Sequence, residues 1–452
     1  ILNEIRLIEI PEQRSYDEVS QVYQQNGYNT VEDTYIEIQG QYAAYKSDPV
    51  LHPLTDNSSL FTVPSHPSLL RINTIGGVKW NRSGQWIEWI FEVEESGLYN
   101  IGMRFRQNEI RGMFTSRRLY INGEVPFQEA DNLKFYFDTQ WQTDKMGIED
   151  EHYLFYLEKG VNTIRLETVY GVAGNWIKTA QESLNSLNAI YRQINMVTGG
   201  DVDIYRDYRF EVRIPETLIE MKRQSEILGQ LYQDILTETG QSSSESILLL
   251  NMSRQLMQFS ERPERIAERL TNFYANIGAL GAWLTQIDNQ PLEIDYIFIT
   301  DPEQKVPNAN PGFFRSMGFE IRRFIASFFT DYDNIGDTLS SDDTPGGQNG
   351  NDITVWMTSG RDQALSLKRL IDNDFTPNFQ IPVKLKLVQP GVLLPSIVAG
   401  TAPDVVLESG RPEPVNFALR NALIDLSEFD DFQEITKRFE PSAIVPFELN
   451  GG

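Results

Sequence analysis

Polar side chains follow two apolar segments near the carboxyl end of the chain. Ile353-Thr-Val-Trp-Met leads into the loop Thr358-Ser-Gly-Arg-Asp, and Asp404-Val-Val-Leu leads into Glu408 and Ser409. Carboxylates and hydroxyls can hydrogen-bond the hydroxyl groups of a ligand, and a guanidinium can bind an acidic one. The candidate binding residues are Thr358, Ser359, Arg361, Asp362, Glu408 and Ser409. The alternative for Asp362 is that it caps the helix that follows.

The sequence offers little that could carry out a reaction. The three histidines, His52, His66 and His152, show neither metal-ligand spacing nor a nucleophile partner. The chain has no cysteine, which excludes thiol catalysis and thiolate metal sites. The glycine-rich run 346–350 lacks the lysine of a phosphate-binding loop, and carboxylates are too abundant to single out a glycosidase pair. We predict that the chain is not an enzyme.

Composition and charge limit the partners. A formal net charge of -25 over 452 residues would repel a phosphate backbone, so we predict no nucleic-acid partner. No run approaches the roughly 18 apolar residues that a membrane span requires. The length corresponds to roughly two to four domains.

The apolar segments around the candidate residues alternate with helical ones. The segment at Ile353 is followed by a helix, the strand 381–388, a short helix over 393–398 and the strand at Asp404. The first helix has these apolar residues on one face: Ala364, Leu367, Leu370 and Ile371. This order predicts a parallel α/β sheet, because parallel neighbours need a crossover connection. Ligands of such sheets bind beyond the carboxyl ends of the strands, where the candidate residues lie.

Four segments of this stretch match a known family. They are Ile353-Thr-Val-Trp, Ile397-Val-Ala-Gly-Thr-Ala-Pro-Asp-Val-Val, Asn421-Ala-Leu-Ile-Asp-Leu and Pro441-Ser-Ala-Ile-Val-Pro-Phe-Glu-Leu-Asn-Gly. The stretch resembles the first lobe of extracellular solute-binding proteins, of a family 1-like kind, that feed sugars to ABC importers. The resemblance implies a partial, periplasmic-binding-protein-like α/β lobe over residues 352–452, truncated before the second lobe that a complete receptor needs.

The same resemblance implies partners and a location. The expected ligand is an oligosaccharide, and the expected protein partner is an ABC permease in the membrane. Proteins of this kind are secreted or tethered through a lipid on an N-terminal cysteine. We therefore expect an extracellular lipoprotein whose signal lies upstream of Ile1.

From about residue 35 to 168 the pattern changes to the alternation typical of a β-sandwich. In Gln85-Trp-Ile-Glu-Trp-Ile-Phe-Glu-Val, the residues predicted to face inward are Ile87, Trp89, Phe91 and Val93. The predicted strands are 34–42, 69–72, 85–93, 97–106, 117–121, 152–157 and 162–166.

Several motifs in this segment match a second family. They are Ile36-Glu-Ile-Gln, Gly84-Gln-Trp-Ile-Glu-Trp, Gly97-Leu-Tyr-Asn-Ile, the turn Ile121-Asn-Gly and Gly160-Val-Asn-Thr-Ile-Arg-Leu. The segment resembles the galactose-binding-like jelly roll of carbohydrate-binding modules, whose last strand is matched here by Leu292-Glu-Ile-Asp-Tyr-Ile. The resemblance implies a structural calcium held by Glu37 and Asp295, with Gln39 standing where an acidic residue is common. The alternative is that both carboxylates are ordinary strand polars.

Tryptophans are candidate sugar platforms in this segment. Sugars stack their C–H patches on exposed aromatic faces. Trp80 and Trp141 lie in turn-rich contexts, and Trp86 faces opposite Trp89. The alternative is that each belongs to the core, as aromatic residues commonly do.

Between the sandwich strands lies a helical stretch. Apolar residues recur three and four apart at Ile177, Ala180, Leu184 and Leu187, and again from Ile266 to Leu284. Two more helices are predicted over 216–237 and 245–259, which makes a four-helix bundle. We interpret it as an insertion in a jelly-roll loop. The alternative is a separate bundle followed by an unrelated strand.

The predicted fold class is therefore multidomain: a β-sandwich jelly roll with an α-helical insertion, followed by a partial α/β lobe. In order, we expect an N-terminal strand and helix (1–30), the jelly roll (31–170), the bundle (171–290), the last jelly-roll strand (291–302), a helix and linker (303–351) and the lobe (352–452). The predicted function is capture of an extracellular oligosaccharide for an ABC importer. The alternative is a carbohydrate-binding module of a polysaccharide-degrading or cell-surface adhesion protein.

Overall fold

A computed structural model of the chain describes residues 13–59, 61–64, 71–148, 151–200, 202–310, 353–358 and 360–448, without the side chains of residues 245, 361, 362 and 390. The chain forms two compact units. The first combines Ile1–Leu54 with Asn73–Asn310, and the second combines Thr55–Ile72 with Pro311–Gly452. The predicted N-terminal strand lies outside the described residues, and so do residues 311–351 of the predicted helix and linker (303–351).

The first unit begins with helix α1 (Tyr16–Gln25), which starts at the capping box formed by Ser15 and Glu18. A β-sandwich follows. The strands of this unit are β1 (Tyr35–Gln39), β2 (Tyr45–Lys46), β3 (Ile75–Gly77), β4 (Trp86–Val93), β5 (Gly97–Arg106), β6 (Phe114–Ile121), β7 (Leu133–Tyr136), β8 (Gln142–Lys145), β9 (Gly147–Ile148), β10 (Glu151–His152), β11 (Leu154–Leu157), β12 (Gly160–Val169) and β13 (Leu292–Thr300). Strands β9 and β10 pair with each other outside the two sheets of the sandwich.

Two antiparallel sheets enclose the core of this unit. The six-stranded sheet has the path β1-β13-β5-β11, with β3 beside β13 and β8 beside β5. The five-stranded sheet has the order β2-β4-β12-β6-β7. The predicted inner face of β4 is confirmed, because Ile87, Trp89, Phe91 and Val93 are all buried. They pack with core residues of the other sheet such as Ile101 and Met103.

Helices interrupt the sandwich between β12 and β13. They are α2 (Ala173–Thr198), the single turn α3 (Phe210–Arg213), α4 (Pro215–Thr239), α5 (Ser244–Glu261) and α6 (Ile266–Asp288). Pro215 occupies the first turn of α4, where a missing amide costs nothing, and Gly240 ends that helix at φ +68°. The apolar residues spaced three and four apart form one separate core, which includes Leu187, Leu228 and Phe273.

The strand after the bundle completes the sandwich. β13 pairs antiparallel with β1, where Glu37 lies opposite Phe298, and with β5, where Ile299 lies opposite Ile101. A central strand of the six-stranded sheet therefore comes after the bundle in the sequence.

The strand predicted at 69–72 is not found among the described residues: residues 65–70 lie outside the described part, and Ile72 is not in a strand. The nearby strand is β3, which pairs with β13.

The second unit contains a three-stranded parallel sheet of order β15-β14-β16. Its strands are β14 (Ile353–Met357), β15 (Val383–Leu387) and β16 (Val405–Leu407). The predicted parallel pairing is confirmed, since Val355 lies opposite both Leu385 and Val405 in parallel register. The helices are α7 (Arg361–Leu370), α8 (Thr376–Phe379), α9 (Leu393–Ala399), α10 (Pro412–Ala418), α11 (Phe432–Thr436) and α12 (Pro441–Ile444).

The prediction that one apolar face of α7 is buried is wrong for Leu370. Ala364 and Ile371 are buried in the core of the second unit, whereas Leu370 is 60% exposed. At 3.6 residues per turn, Leu370 projects about 120° away from Ala364 around the helix axis. Leu370 therefore lies on a different side of α7, which faces a groove.

A single π-helical turn, Ile371–Phe375, continues α7. It is hydrogen-bonded to the last two residues of the segment Thr55–Ile72, which belongs to the same unit. Arg71 donates a hydrogen bond to the carbonyl oxygen of Asp372, and the amide of Ile72 donates to Asn373 Oδ1 at 3.0 Å. On the inner side, Lys368 Nζ and Asp372 Oδ1 form a buried ion pair at 2.7 Å. This turn therefore fixes a part of the chain that precedes it by about 300 residues.

Candidate ligand-binding site

The carboxyl ends of β14 and β16 bring two predicted site residues together. Thr358 follows β14 and Glu408 follows β16. The Thr358 hydroxyl donates a hydrogen bond to the carbonyl oxygen of Glu408 at 2.7 Å. Adjacent parallel strands place their ends side by side, and this hydrogen bond joins the two loops at that edge.

A groove of about 630 Å³ opens at this edge. Its lining residues are Met357, Gln363, Ser366, Leu367, Leu370, Leu407 and Glu408. Apolar side chains make up most of the wall, while Glu408, Gln363 and Ser366 supply a carboxylate, an amide and a hydroxyl. This is the composition of a small-molecule site, in which a few polar groups orient a ligand against an apolar surface.

Sequence analysis missed Gln363 and Ser366. With Leu367 and Leu370 they fall at positions i, i+3, i+4 and i+7 of α7, which places all four on one side of the helix. That spacing is visible in the sequence. The apolar residues of α7 point to its buried face, which includes Ala364 and Ile371, and give no signal for polar residues on another side of the helix.

Glu408 and the two residues after it form a turn that leads into α10. Glu408 has φ +57°, a left-handed conformation that is uncommon for a residue with a side chain. Ser409 Oγ and the Gly410 amide both donate to Glu413 Oε2, at 2.5 and 3.2 Å. Ser409 therefore connects the loop to the first turn of α10 and is not among the lining residues of the groove.

The other predicted site residues, Ser359, Arg361 and Asp362, belong to the loop after β14 and the start of α7. Helix α7 begins at Arg361 with Gly360 as its N-cap residue, so Asp362 is not the capping residue. The side chains of Arg361 and Asp362, and residue Ser359, lie outside the described part of the chain. Their assignment to ligand binding stays a prediction.

An acidic residue at the opposite end of β16 was not singled out as a site. Asp404 Oδ2 accepts hydrogen bonds from the amide and the hydroxyl of Thr354, both at 2.7 Å. These donors lower the pKa of the Asp404 carboxyl below its usual value of 3.8, the amide having the larger effect. Asp404 therefore fixes the start of β16 against β14.

The prediction of exposed aromatic platforms is wrong for Trp80 and Trp141. Trp80 is 0% exposed, with the Arg117 guanidinium 4.2 Å from its ring centroid. Trp141 is 3% exposed, and the guanidiniums of Arg104 and Arg106 lie 4.6 and 4.5 Å from its ring centroid. Burial and arginine stacking leave these rings no open face for a sugar.

Trp86 is placed differently. Its side chain is half-buried on the outer face of β4, opposite to Trp89, as predicted. The Arg165 guanidinium lies 4.3 Å from its ring centroid. Of the three predicted platforms, Trp86 alone remains partly accessible.

Glu37 and Asp295 do not fit a calcium site. Asp295 forms a fully buried ion pair with Arg104, whose guanidinium also donates from Nε to the carbonyl oxygen of Ala309 at 2.9 Å. Glu37 is exposed and accepts hydrogen bonds from the Tyr35 hydroxyl at 3.1 Å and from Gln39 Nε2 at 2.6 Å. A guanidinium on one carboxylate opposes a second cation there, and two carboxylates are fewer than the oxygen ligands calcium requires.

In the described part of the chain, the remaining candidates for a metal site are histidine and acidic side chains. Within the described residues, no group of three or more histidine or acidic side chains is arranged to hold a metal ion. His52 Nε2 lies 2.6 Å from Lys79 Nζ, His152 is the half-buried last residue of β10, and His66 lies outside the described part. Among the helices that the structure describes, none combines the length and apolar character needed to cross a lipid bilayer.

One family model matches part of the chain. Residues 175–287, which run from the first turn of α2 to the last turn of α6, match the family described as "Bacterial solute-binding protein, 4-helix bundle domain". The match covers the inserted bundle and supports the class of bacterial solute-binding proteins that the sequence predicts. No curated protein matches the chain.

Several solved structures are similar to a part of the chain. A Paenibacillus sp. cycloisomaltooligosaccharide glucanotransferase complexed with cycloisomaltoheptaose is 19% identical, with 34% of this chain and 21% of that chain covered and a TM-score of 0.22. A family 35 carbohydrate-binding module from Clostridium thermocellum is 16% identical, with 30% and 87% covered and a TM-score of 0.22. The CBM35 of Cellvibrio japonicus Abf62 is 18% identical, with 30% and 83% covered and a TM-score of 0.21. Likeness of this degree carries no argument about function.

Proposed function

We propose that this chain is the substrate-binding component of a carbohydrate ABC importer and that it captures an extracellular oligosaccharide in the groove of the second unit. The observation that carries the proposal is the groove itself, which lies where β14 and β16 end and where Thr358 is hydrogen-bonded to Glu408. Ligands of open parallel sheets bind at this edge. The match of the bundle to solute-binding proteins supports the same function.

The groove offers the two kinds of contact that a sugar needs. Glu408, Gln363 and Ser366 can hydrogen-bond ring hydroxyls. Met357, Leu367 and Leu407 provide an apolar surface for the C–H face of a pyranose ring. In this proposal the groove is one wall of a cleft, and a second lobe supplies the opposite wall and closes on the ligand by a hinge.

The remaining parts of the proposal follow from the resemblance to sugar-binding receptors. The protein acts outside the cell, tethered to the surface through a lipid, and passes its ligand to a membrane permease. It performs no chemistry on the sugar. The alternative, a carbohydrate-binding module of a degrading or adhesive protein, would place sugar affinity on Trp80, Trp86 and Trp141, two of which are buried.

Isothermal titration of the chain with neutral tetrasaccharides of glucose and of mannose tests the proposal. We expect binding of at least one of them, weakened about tenfold or more in Glu408→Gln, because a hydrogen bond to a charged group contributes about 1.5–3 kcal/mol. The matched control is Glu434→Gln, an exposed glutamate of the same unit. Equal affinity in Glu408→Gln and the wild type, or loss of affinity in Trp86→Ala alone, would overturn the assignment to this groove.

A further inference from the structure

Within the described residues of the sandwich, one buried arginine has no carboxylate partner. Arg117 belongs to the same alternating series of β6 as the core residues Leu119 and Ile121, and it is 0% exposed. None of the ion pairs among the described residues includes it. Desolvation by burial lowers the pKa of Arg117 well below its usual value, yet a guanidinium remains charged in proteins. A positive charge is therefore held where an unpaired charge is costly.

Neutral groups compensate this charge only in part. The carbonyl oxygens of Ser116, Trp80 and Gln290 accept hydrogen bonds from Nη1 and Nη2 at 2.9, 3.0 and 2.6 Å. The Trp80 ring covers one face of the guanidinium, with its centroid 4.2 Å from Cζ. The Nε–H of Arg117 has no acceptor in the described part of the chain. Dipoles therefore solvate the guanidinium, but one of its N–H donors remains unused.

Two buried hydroxyl groups share the same face of the sheet. Thr168 on β12 lies directly opposite Arg117, and Thr115 precedes Arg117 by two residues on β6. Both threonines are 0% exposed, and neither Oγ1 atom has a hydrogen-bond partner among the described residues. The backbone of Thr168 is already paired, because its amide donates to Gln85 and its carbonyl oxygen accepts from Gly84. Only the side-chain hydroxyl of Thr168 is therefore left to bind something else.

The chemistry of these three groups favours an anion over water. Buried polar groups almost always have a hydrogen-bond partner, so a cluster of three that lack one indicates a bound ion or water. Water would accept these hydrogen bonds but leave the buried charge unbalanced. An anion accepts the hydrogen bonds and also supplies the negative charge. One guanidinium matches a monovalent ion, because a divalent oxyanion would bring a second, uncompensated charge into the interior.

We propose that Arg117, Thr115 and Thr168 bind a halide ion, which is chloride in ordinary salt solutions. Directly opposed residues have Cβ atoms about 5 Å apart, so one ion can contact both Thr168 and the Nε of Arg117. The net charge of -25 does not prevent this, because exposed charges more than about 10 Å away are largely screened at 0.1 M salt. Through Arg117, the ion would stabilise the place where Gln290 leads the chain from the bundle into β13. The site is independent of the proposed sugar groove.

Urea denaturation in mixtures of sodium chloride and sodium gluconate at one ionic strength tests the proposal. Gluconate is too large for a site buried among these side chains and serves as the anion that does not bind. Hydrogen exchange of the β6 amides reports the unfolding of the first unit. Because the ion binds only the folded state, the ratio of folded to unfolded wild type should rise about tenfold for each tenfold rise in chloride above the Kd. Bromide should act in the same way.

Thr168→Val removes one proposed ligand and keeps the shape of the side chain. We expect it to raise the Kd for chloride about tenfold, the effect of losing one hydrogen bond to a charged group. In gluconate, Thr168→Val should be at least as stable as the wild type, because it removes a buried hydroxyl that lacks a partner. The matched control is Ser183→Ala in α2, which also removes such a hydroxyl and should leave the chloride dependence unchanged.

Crystals soaked in sodium bromide give a second readout that does not depend on stability. We expect an anomalous bromide peak beside Arg117 Nε in the wild type and a weaker one in Thr168→Val. The proposal is overturned if the wild type is equally stable in chloride and gluconate, or if Thr168→Val keeps the wild-type dependence on chloride. It is also overturned if the density beside Nε carries no anomalous signal, as for a water molecule.

Discussion

Arg117 Nη2 donates a hydrogen bond to the carbonyl oxygen of Gln290 at 2.6 Å, which ties β6 to the residue where the chain leaves the bundle. The same nitrogen donates to Trp80 O at 3.0 Å, and Nη1 donates to Ser116 O at 2.9 Å. The Gln290 side chain accepts from the Ser116 amide at 2.9 Å. Desolvation by burial lowers the pKa of Arg117. The contacts of this guanidinium fix the junction between the sandwich and the bundle.

Replacing Arg117 should destabilise the first unit strongly. Arg117→Met leaves three buried carbonyl groups without this donor, and each such loss costs about 1–3 kcal/mol. We expect the free energy of unfolding to fall by about 3 kcal/mol or more, measured by urea denaturation. The neighbouring Arg118→Met removes a half-exposed arginine and should cost less than about 1 kcal/mol. Similar losses in the two variants would contradict the role given to Arg117.

The ion pair between Arg104 and Asp295 should be costly to break on one side. Both side chains are fully buried, so Asp295→Asn leaves a guanidinium without its counter-charge and should cost about 3–5 kcal/mol. The double variant Arg104→Met/Asp295→Asn should recover much of that loss in a double-mutant cycle with Arg104→Met and Asp295→Asn, measured by denaturation. Additive effects of the single changes would show that the pair is not coupled.

The same pairing predicts no response to calcium through Asp295. Adding calcium chloride, or removing divalent cations with a chelator, should leave the melting temperature of the chain unchanged in calorimetry. A rise in melting temperature with calcium that disappears in Glu37→Gln and Asp295→Asn would show that the two carboxylates do hold the ion, contrary to the geometry.

The buried Lys368–Asp372 pair should anchor the π-helical turn of the second unit. Lys368→Met leaves Asp372 buried without its ammonium partner and should lower the free energy of unfolding by about 3 kcal/mol. Lys437→Met, which changes an exposed lysine of the same unit, is the control and should have almost no effect. Amide hydrogen exchange resolves the two units, and faster exchange confined to the second unit is the expected result for Lys368→Met.

Asp404 should titrate below its usual pKa of 3.8, because Thr354 donates two hydrogen bonds to its charged form. A lowered folded pKa means that the stability contributed by Asp404 is present above the unfolded pKa and is lost as the pH falls through the folded one. Carboxyl carbon NMR shifts measure the folded pKa. Thr354→Val should raise it only part of the way to 3.8, since the amide donor remains. A midpoint at or above 3.8 in the wild type would refute this.

The inward face of one strand and the parallel pairing could be predicted from the sequence, because the first depends on local periodicity and the second on the order of elements along the chain. The inward face of β4 was predicted from the two-residue repeat of Ile87 and Trp89, and the parallel sheet was predicted from the order of strands and helices around Ile353. The same order of elements predicted that Thr358 and Glu408 lie at one edge of the sheet, where the Thr358 hydroxyl donates to the Glu408 carbonyl oxygen. Parallel strands bring their carboxyl ends to one edge of the sheet.

Contacts between residues that are far apart in the sequence could not be predicted from local periodicity or from the order of elements. Trp80 is buried under Arg117, and Asp295 is neutralised by Arg104, which lies 191 positions earlier. Neither pairing has a local signal in the sequence. The turn-rich context of Trp80 therefore predicts a sugar platform, and the resemblance to jelly rolls implies a calcium ligand at Asp295. Strands of two to four residues, such as β2 and β7, are too short to show alternation.

The second unit is built from two separate stretches of sequence, because Thr55–Ile72 belongs to it together with Pro311–Gly452. A fragment that begins at residue 311 would retain the parallel sheet but lack Arg71 and Ile72. It would therefore lose their hydrogen bonds to Asp372 and Asn373. Transplanting the groove into another protein therefore requires two separate stretches of coding sequence. Recombination at a single breakpoint cannot move this unit intact.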